Sequence, residues 1–152
     1  MDKNCEVIVI GGGPAGLTAG LYSSRAGLST LLIEKAIMGG QIINAERVEN
    51  YPGFPEGIAG FELGQLMYQQ ATKYGLETLN TEVMGIELRG KHKILKTTQG
   101  NYKTNAVIIA SGSGYRKLGV HGEEELLGKG VSYCATCDGA LFKNRRVAVV
   151  GG

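Results

Sequence analysis

The stretch Val7-Ile-Val-Ile-Gly-Gly-Gly-Pro-Ala-Gly16 decides the fold of this chain. Its β-branched, apolar beginning (residues 6–10) predicts a buried parallel strand, and the glycines that follow predict a tight turn into a helix. The helix is expected over residues 17–26. Residues 30–33 then predict a second strand, which ends at Glu34. Strand, glycine-rich turn, helix and strand in this order predict a Rossmann-like βαβ unit.

Each residue type in this unit has a physical task. Gly11 permits the tight turn, Gly13 lets a pyrophosphate approach the backbone, and Gly16 lets the helix pack closely on the strand. The helix N-terminus offers partial positive charge and N–H groups to phosphates. The Glu34 carboxylate can accept hydrogen bonds from both ribose hydroxyls and would repel a 2′-phosphate. The pattern therefore predicts a site for FAD or NAD(H), and not for NADP(H).

A second motif, Cys134-Ala-Thr-Cys137, is followed directly by Asp138. Two thiols at this spacing can close and reopen a disulfide, and an adjacent acid can move the proton that exchange requires. The same spacing also occurs in zinc sites. The remaining Cys5 and the two histidines do not supply a second ligand pair, so we predict no metal.

The rest of the chain predicts an α/β fold with a parallel sheet, an antiparallel β-meander and the truncated start of a second Rossmann-like domain. A long loop is expected over residues 35–60 and an amphipathic helix from Phe61 to Gly75. The remaining segments are expected to be strands: residues 77–88, 93–98 and 102–104 in the meander, and 106–110 and 147–150 of the buried parallel type. Small residues at 111–114 favour a boundary between domains 1–113 and 114–152.

Composition excludes several classes of protein. The chain has 152 residues and a net charge of +2, with scattered basic residues, so nucleic acid is not an expected partner. Its apolar runs are too short to span a membrane, and no signal-peptide region is visible near the N-terminus. A reducing cytoplasm is the expected compartment, and there a CxxC pair is better interpreted as catalytic than structural. The acidic run 123–125 is expected to be a solvated helix start.

Several blocks together resemble the low-molecular-weight thioredoxin reductases, members of the FAD-dependent pyridine nucleotide-disulfide oxidoreductases. The resemblance covers the whole chain and rests on residues 11–16, 39–41, 49–53, 115–119 and 130–139. It implies that electrons pass from NADPH to FAD, then to the Cys134–Cys137 dithiol, and then to thioredoxin or a similar small disulfide protein. Cys134 would be the exchange thiol, Cys137 would face the flavin, and Asp138 would donate the proton. A homodimer is implied for the complete enzyme.

The resemblance also assigns the cofactor-binding residues. FAD would contact the glycine-rich turn, the loop after the second strand, and the turn at the end of the parallel strand. These residues are Gly11, Gly12, Gly13, Pro14, Ala15, Gly16, Glu34, Lys35, Gly39, Gly40, Gln41, Asn50, Val83, Ala110, Ser111 and Gly112. NADPH would bind a second domain, of which residues 114–152 are only the start.

Two departures from the family pattern and two alternatives accompany this interpretation. Ser111 and His121 stand where the family usually has Thr and Pro. A reductase that serves a peroxiredoxin shares these motifs, and an N-terminal thioredoxin-like extension would distinguish it. A non-catalytic fragment that binds FAD, or senses redox state through CxxC, is the alternative from another class. Since the second glycine-rich turn is incomplete, the 152-residue chain on its own is expected to show little turnover with NADPH.

Overall fold

A computed structural model describes residues 3–151 of the chain. The side chains of residues 3, 136, 137, 140 and 141 lie outside that description. The chain divides into two compact units, Met1–Gly112 and Ser113–Gly152, and each is described by itself. The assignment of the second unit to an NADPH domain stays a prediction.

The first unit is an α/β fold built on one six-stranded sheet with the strand order β3-β2-β1-β6-β5-β4. The strands are β1 Lys3–Ile10, β2 Thr30–Glu34, β3 Glu77–Asn80, β4 Val83–Arg89, β5 His92–Thr97 and β6 Gly100–Ile109. The α-helices of this unit are α1 Pro14–Arg25 and α2 Gly60–Thr72. Strands β3, β2, β1 and β6 run parallel, whereas β6, β5 and β4 form an antiparallel meander. The predicted parallel sheet with a Rossmann-like start and a meander is confirmed.

The βαβ start has the predicted order of strand, turn, helix and strand, although the helix spans Pro14–Arg25 and not the expected residues 17–26. Strand β1 is apolar on both faces because it lies in the middle of the sheet, and Ile8 and Val9 are fully buried. Helix α1 begins at Pro14, whose missing N–H is not needed in the first turn. The helix ends before Gly27, which has a φ of +80° that favours glycine. Strand β2 then pairs in parallel with β1.

Two strand boundaries differ from the prediction. Residues 77–88 were expected to belong to the meander as one segment, but Glu77–Asn80 pairs in parallel with β2, and the meander begins only at Val83. The N–H of Thr81 bonds the carbonyl of Glu34 at 3.0 Å, and the chain turns after this residue into β4. The expected separate strands at 102–104 and 106–110 are one strand, β6, which pairs with β5 on one side and with β1 on the other. The parallel pairing of residues 106–109 with β1 is as predicted, but their predicted burial is wrong, because Ile109 is 68 % exposed.

Apolar side chains cover both faces of strands β1 and β2. On one face Val7, Val9 and Leu32 pack against helices α1 and α2 through Leu17 and Ala71. The opposite face packs against the meander through a second cluster of buried residues: Cys5, Ile8, Leu31, Ile33 and Leu95. These two clusters cover both faces of β1 and β2 and hold the carboxyl ends of these two strands in place.

The predicted long loop, residues 35–60, contains local structure. A 3₁₀ helix spans Gly40–Asn44, and an isolated antiparallel bridge joins Val48 to Ile58. Val48 and Ile58 pack with Leu63 of α2 in a third apolar cluster. The loop is therefore anchored to the helix that follows it.

The second unit contains little regular structure. Its helical segments are α3 Ala135–Asp138 and a 3₁₀ helix at Gly139–Phe142. The prediction of a strand over residues 147–150 is wrong for this structure, where these residues form no strand and Val149 is 85 % exposed. A buried parallel strand needs strands beside it, and the described residues of the second unit form no other strand with which it could pair. No helix in the described part of the chain is long and apolar enough to cross a membrane.

Candidate functional site

The glycine-rich turn after β1 is sterically closed at two positions. Gly11 has a φ of +105°, and a Cβ there would lie 2.2 Å from the carbonyl oxygen of Ala110. A Cβ on Gly16 would lie 1.8 Å from the carbonyl oxygen of Gly11. Because these distances are far below van der Waals contact, both positions require glycine. This explains the predicted tasks of Gly11 in the turn and of Gly16 in helix packing.

Gly13 differs from these two glycines because space lies open beside it. A Cβ at this position would meet only the Cα of Gly40, at 3.8 Å. The next loop reaches the turn here, since the N–H of Gly39 donates to the carbonyl of Gly12 at 2.8 Å. The first intrahelical bond runs from the N–H of Leu17 to the carbonyl of Gly13, so the preceding N–H groups have no acceptor within the helix. The open side of Gly13 leaves room for a ligand group beside the helix N-terminus.

The Glu34 carboxylate links the end of β2 to the glycine-rich turn. One oxygen accepts the N–H of Gly12 at 2.6 Å, and the other accepts the N–H of Ala36 at 2.8 Å. A carboxylate oxygen can accept more than one hydrogen bond. Glu34 is only half-buried, so it retains acceptor capacity for ribose hydroxyls while it holds the turn.

A cavity of about 190 Å³ lies at the carboxyl ends of the parallel strands. The cavity lies beside β1, which has β2 on one side in the sheet and β6 on the other. Open α/β sheets bind ligands at such a point, where the strand order reverses. Five predicted cofactor residues line it together: Gly11, Glu34, Lys35, Val83 and Ser111. The Glu34 carboxylate and the side chains of Lys35 and Ser111 are groups of the types that bind hydroxyls and phosphates of a dinucleotide.

Four further residues line this cavity and were missed from the sequence: Ile10, Ile33, Thr81 and Glu82. The Lys35 ammonium lies 3.1 Å from the Glu82 carboxylate, and both side chains are at least half exposed. Thr81 and Glu82 had no sequence signal because residues 77–88 were interpreted as one strand. The turn between β3 and β4 brings them to the site.

The other predicted cofactor residues are placed differently. Pro14 and Ala15 begin helix α1, and Ala110 follows β6, with its N–H bonded to the carbonyl of Ile10. Gln41, Asn50 and Gly112 are exposed and do not line the cavity. Their predicted contacts with a cofactor stay predictions.

The CxxC motif leads into the one-turn helix α3, which begins directly after Cys134. Cys134 precedes the helix and is disulfide-bonded. The N–H of Asp138 donates to the carbonyl of Cys134 at 3.0 Å, which closes one helical turn. The Ser132 hydroxyl lies 2.6 Å from the Asp138 carboxylate. The side chain of Cys137 lies outside the described residues, so its predicted role rests on the sequence.

Glu123 corrects the expectation for the acidic run 123–125. Instead of beginning a solvated helix, these residues form a turn, and Glu123 is 96 % buried since only 4 % of its surface is exposed. Its carboxylate accepts the hydroxyl of Tyr133 and the N–H groups of Leu118 and Gly119. The turn forms because the flanking Gly119 and Gly122 both have positive φ, and these glycines were the signal available in the sequence.

These bonds move two pKa values apart. The hydrogen bond from Tyr133, followed by those from the backbone, holds the pKa of Glu123 below its ordinary value. The same bond raises the pKa of the Tyr133 hydroxyl. Tyr133 also stacks on Tyr115, with ring centroids 5.2 Å apart. Glu123 therefore fixes the residue that directly precedes Cys134.

The sequence profile of one family, described as pyridine nucleotide-disulphide oxidoreductase, matches residues 5–152. The chain belongs to this family. Among curated proteins, the thioredoxin reductase of Bacillus subtilis is 52 % identical over 151 residues, which cover 99 % of this chain and 48 % of that protein. A bifunctional thioredoxin reductase/thioredoxin of Mycobacterium leprae is 49 % identical over 148 residues, covering 97 % of this chain and 32 % of that protein.

Solved structures of this oxidoreductase family have the same fold. The thioredoxin reductase of Streptococcus pyogenes superposes with a TM-score of 0.85 at 44 % identity, and covers 93 % of this chain and 46 % of its own. The Lactococcus lactis thioredoxin reductase superposes with a TM-score of 0.75 at 45 % identity, and the match covers 91 % of this chain and 45 % of that one. The chain spans about half the length of the first curated relatives it matches, or less.

Proposed function

We propose that this chain supplies the FAD-binding fold and the redox-active dithiol of a disulfide reductase that takes electrons from NADPH and delivers them to thioredoxin. The observation that carries the proposal is the combination of two features on one chain. The first is the cavity at the glycine-rich turn, and the second is the Cys134 disulfide followed by Asp138. Relatives at about 50 % identity are thioredoxin reductases, which supports this substrate class.

The residues at the cavity would hold FAD by complementary chemistry. Gly13 leaves room for the pyrophosphate beside the helix N-terminus, and Glu34 has acceptor capacity for ribose hydroxyls. The cavity is smaller than the roughly 300–1,000 Å³ of sites that enclose a whole drug-sized ligand. The turn and the loop at Gly39 and Gly40 would therefore hold the rest of the dinucleotide along an open cleft. When bound, FAD would supply a pair of electrons to the disulfide.

The dithiol would carry out the exchange. A Cys134 thiolate attacks the substrate disulfide, and the substrate sulfur that leaves takes a proton from Asp138. Cys137 then attacks Cys134, which releases the second substrate sulfur and leaves Cys134 and Cys137 joined. NADPH requires a separate site because the Glu34 charge disfavours a 2′-phosphate. A reducing, cytoplasmic location is part of this proposal, since a catalytic CxxC cycles in such a compartment. A homodimer of the complete enzyme is also part of it, as the family resemblance implies.

The test measures NADPH-dependent reduction of thioredoxin by the full-length protein that contains this chain. Wild-type protein is expected to turn over, whereas C134S and C137S are expected to lose activity with normal flavin content. C5A is the matched control, because Cys5 lies in β1 among core residues and should leave turnover intact. Activity in both active-site cysteine variants at the level of C5A would overturn the proposal. A protein that reduces only a peroxiredoxin partner would favour the alternative reductase class, and a protein that binds FAD without turnover would favour the non-catalytic one.

A further inference from the structure

The Ser132 hydroxyl lies at the centre of a small hydrogen-bonded group around the CxxC helix. It is 2.6 Å from an oxygen of the Asp138 carboxylate. It also lies 3.1 Å from the N–H of Cys134 and 3.3 Å from the Cys134 carbonyl. Ser132 thus joins the main chain of the exchange cysteine to the side chain of the acid one helical turn later.

These distances allow two arrangements of the single hydroxyl proton. With Asp138 ionised, the hydroxyl donates to the carboxylate through the short 2.6 Å contact and accepts the N–H of Cys134. With Asp138 protonated, the carboxylic acid donates to the Ser132 oxygen, and the hydroxyl turns to the Cys134 carbonyl at 3.3 Å. Every donor in the group keeps an acceptor in both states.

We infer that Ser132 is a positioning residue that holds the Asp138 carboxyl beside Cys134 in both of its protonation states. This inference rests on the function proposed above. When the Cys134 thiolate bonds to one substrate sulfur, the other leaves with the electron pair of the broken S–S bond and takes up the proton of Asp138. Asp138 regains a proton from solvent before the next turnover. Without the hydroxyl, the carboxyl loses its local partner, and its position relative to the leaving sulfur varies.

Three substitutions in the full-length enzyme test the inference. Thr and Val have nearly the same shape, but only Thr carries a hydroxyl, so S132T and S132V separate the hydrogen bonds from the packing. S132V is expected to lower kcat about tenfold with an unchanged KM for the disulfide substrate, against about 100-fold for D138N. S132T should restore most of the activity. Flavin content should be normal in all three.

A double-mutant cycle then separates positioning from general structural support. If Ser132 acts through Asp138, S132V should add little to the loss already caused by D138N, whereas independent effects would multiply. Equal kcat in S132V and S132T, or the full S132V penalty in the D138N background, would overturn the inference. Failure of the proposed function is distinguishable, because C134S would then retain activity. If C134S and D138N lost activity and S132V had no effect, the role of Ser132 would be contradicted while the proposed function would stand.

Discussion

The carboxylate of Glu34 accepts the main-chain N–H of Gly12 at 2.6 Å, although 22 residues separate them in sequence. The bond joins the end of β2 to the turn that follows β1. The residue expected to recognise ribose is thus also part of the scaffold that shapes the phosphate-binding turn. Substitution of Glu34 should therefore affect stability and flavin binding together.

Glu34→Gln tests this double role. Each carboxylate oxygen of Glu34 meets a different N–H donor, whereas Gln has one acceptor oxygen, so one N–H loses its partner. Loss of the partner at the part-buried N–H of Gly12 costs about 1–3 kcal/mol, whereas water can replace the partner at the exposed N–H of Ala36. We expect a lower free energy of unfolding in urea and about tenfold weaker FAD binding, measured as flavin absorbance per protein. E46Q, at an exposed glutamate, is the control, and identical values for the two variants would contradict this role.

Gly13→Ala and Gly16→Ala should separate cofactor binding from folding. A Cβ at Gly13 has open space, and its φ of −75° suits alanine, so the fold should be retained while flavin content falls. A Cβ at Gly16 would clash with the Gly11 carbonyl, so that variant should lose several kcal/mol of stability, as an overpacked backbone contact does. Thermal unfolding and flavin absorbance on the same samples check both outcomes. Normal flavin content in G13A would contradict the assignment of the pyrophosphate to this turn.

Glu123→Gln should loosen the segment before the CxxC motif. The carboxylate accepts the N–H groups of Leu118 and Gly119 on its two oxygens, and Gln can serve only one of them in the same way. We expect several-fold faster hydrogen exchange at these two amides in E123Q. E125Q, at an exposed neighbour in the same run, should exchange as wild type. Equal protection in both variants would show that the buried carboxylate does not hold this turn.

The pKa shifts of Glu123 and Tyr133 set a pH window for the same segment. The pKa of Glu123 is lowered from 4.5 in the folded state. Its ionised carboxylate therefore stabilises the fold fully above that pH, and this stabilisation is lost as pH falls through the folded-state pKa. The pKa of the Tyr133 hydroxyl is raised from 10.0 in the folded state. The protonated hydroxyl therefore stabilises the fold fully below that pH, and this stabilisation is lost as pH rises through the folded-state pKa. Near-ultraviolet circular dichroism of the stacked tyrosines should stay constant inside this window. An acid transition well above pH 4.5 would contradict the assignment.

The sequence predicts the βαβ start well because each of its features is local. The turn glycines and the apolar strand act within a few residues of one another, and both form the expected turn after a buried strand. Pairing between strands that lie far apart in the sequence is harder to predict from the sequence. Glu77–Asn80 has the residue types of a meander strand, and only the vacant edge of β2 assigns it to the parallel part of the sheet.

The site was predicted in part for the same reason. Gly11 and Glu34 belong to a motif with a known spacing, whereas Glu82 reaches the cavity only through the turn between β3 and β4. Glu123 lies in a run of three glutamates that has the pattern of a solvated surface. Its burial depends on three donors, and the side-chain donor, Tyr133, lies ten residues along the chain. Contacts of this kind have no periodic signal in a single sequence.

The central claim is that electrons pass between a bound flavin and a dithiol whose two sulfurs have different roles. The most direct measurement is the visible absorbance spectrum of the full-length protein in the C134S and C137S variants. C134S should leave a thiolate at Cys137 beside oxidised flavin and show a long-wavelength charge-transfer band. C137S should lack the band and should trap thioredoxin as a mixed disulfide through Cys134. A spectrum without flavin, or a band in C137S and none in C134S, would contradict the account.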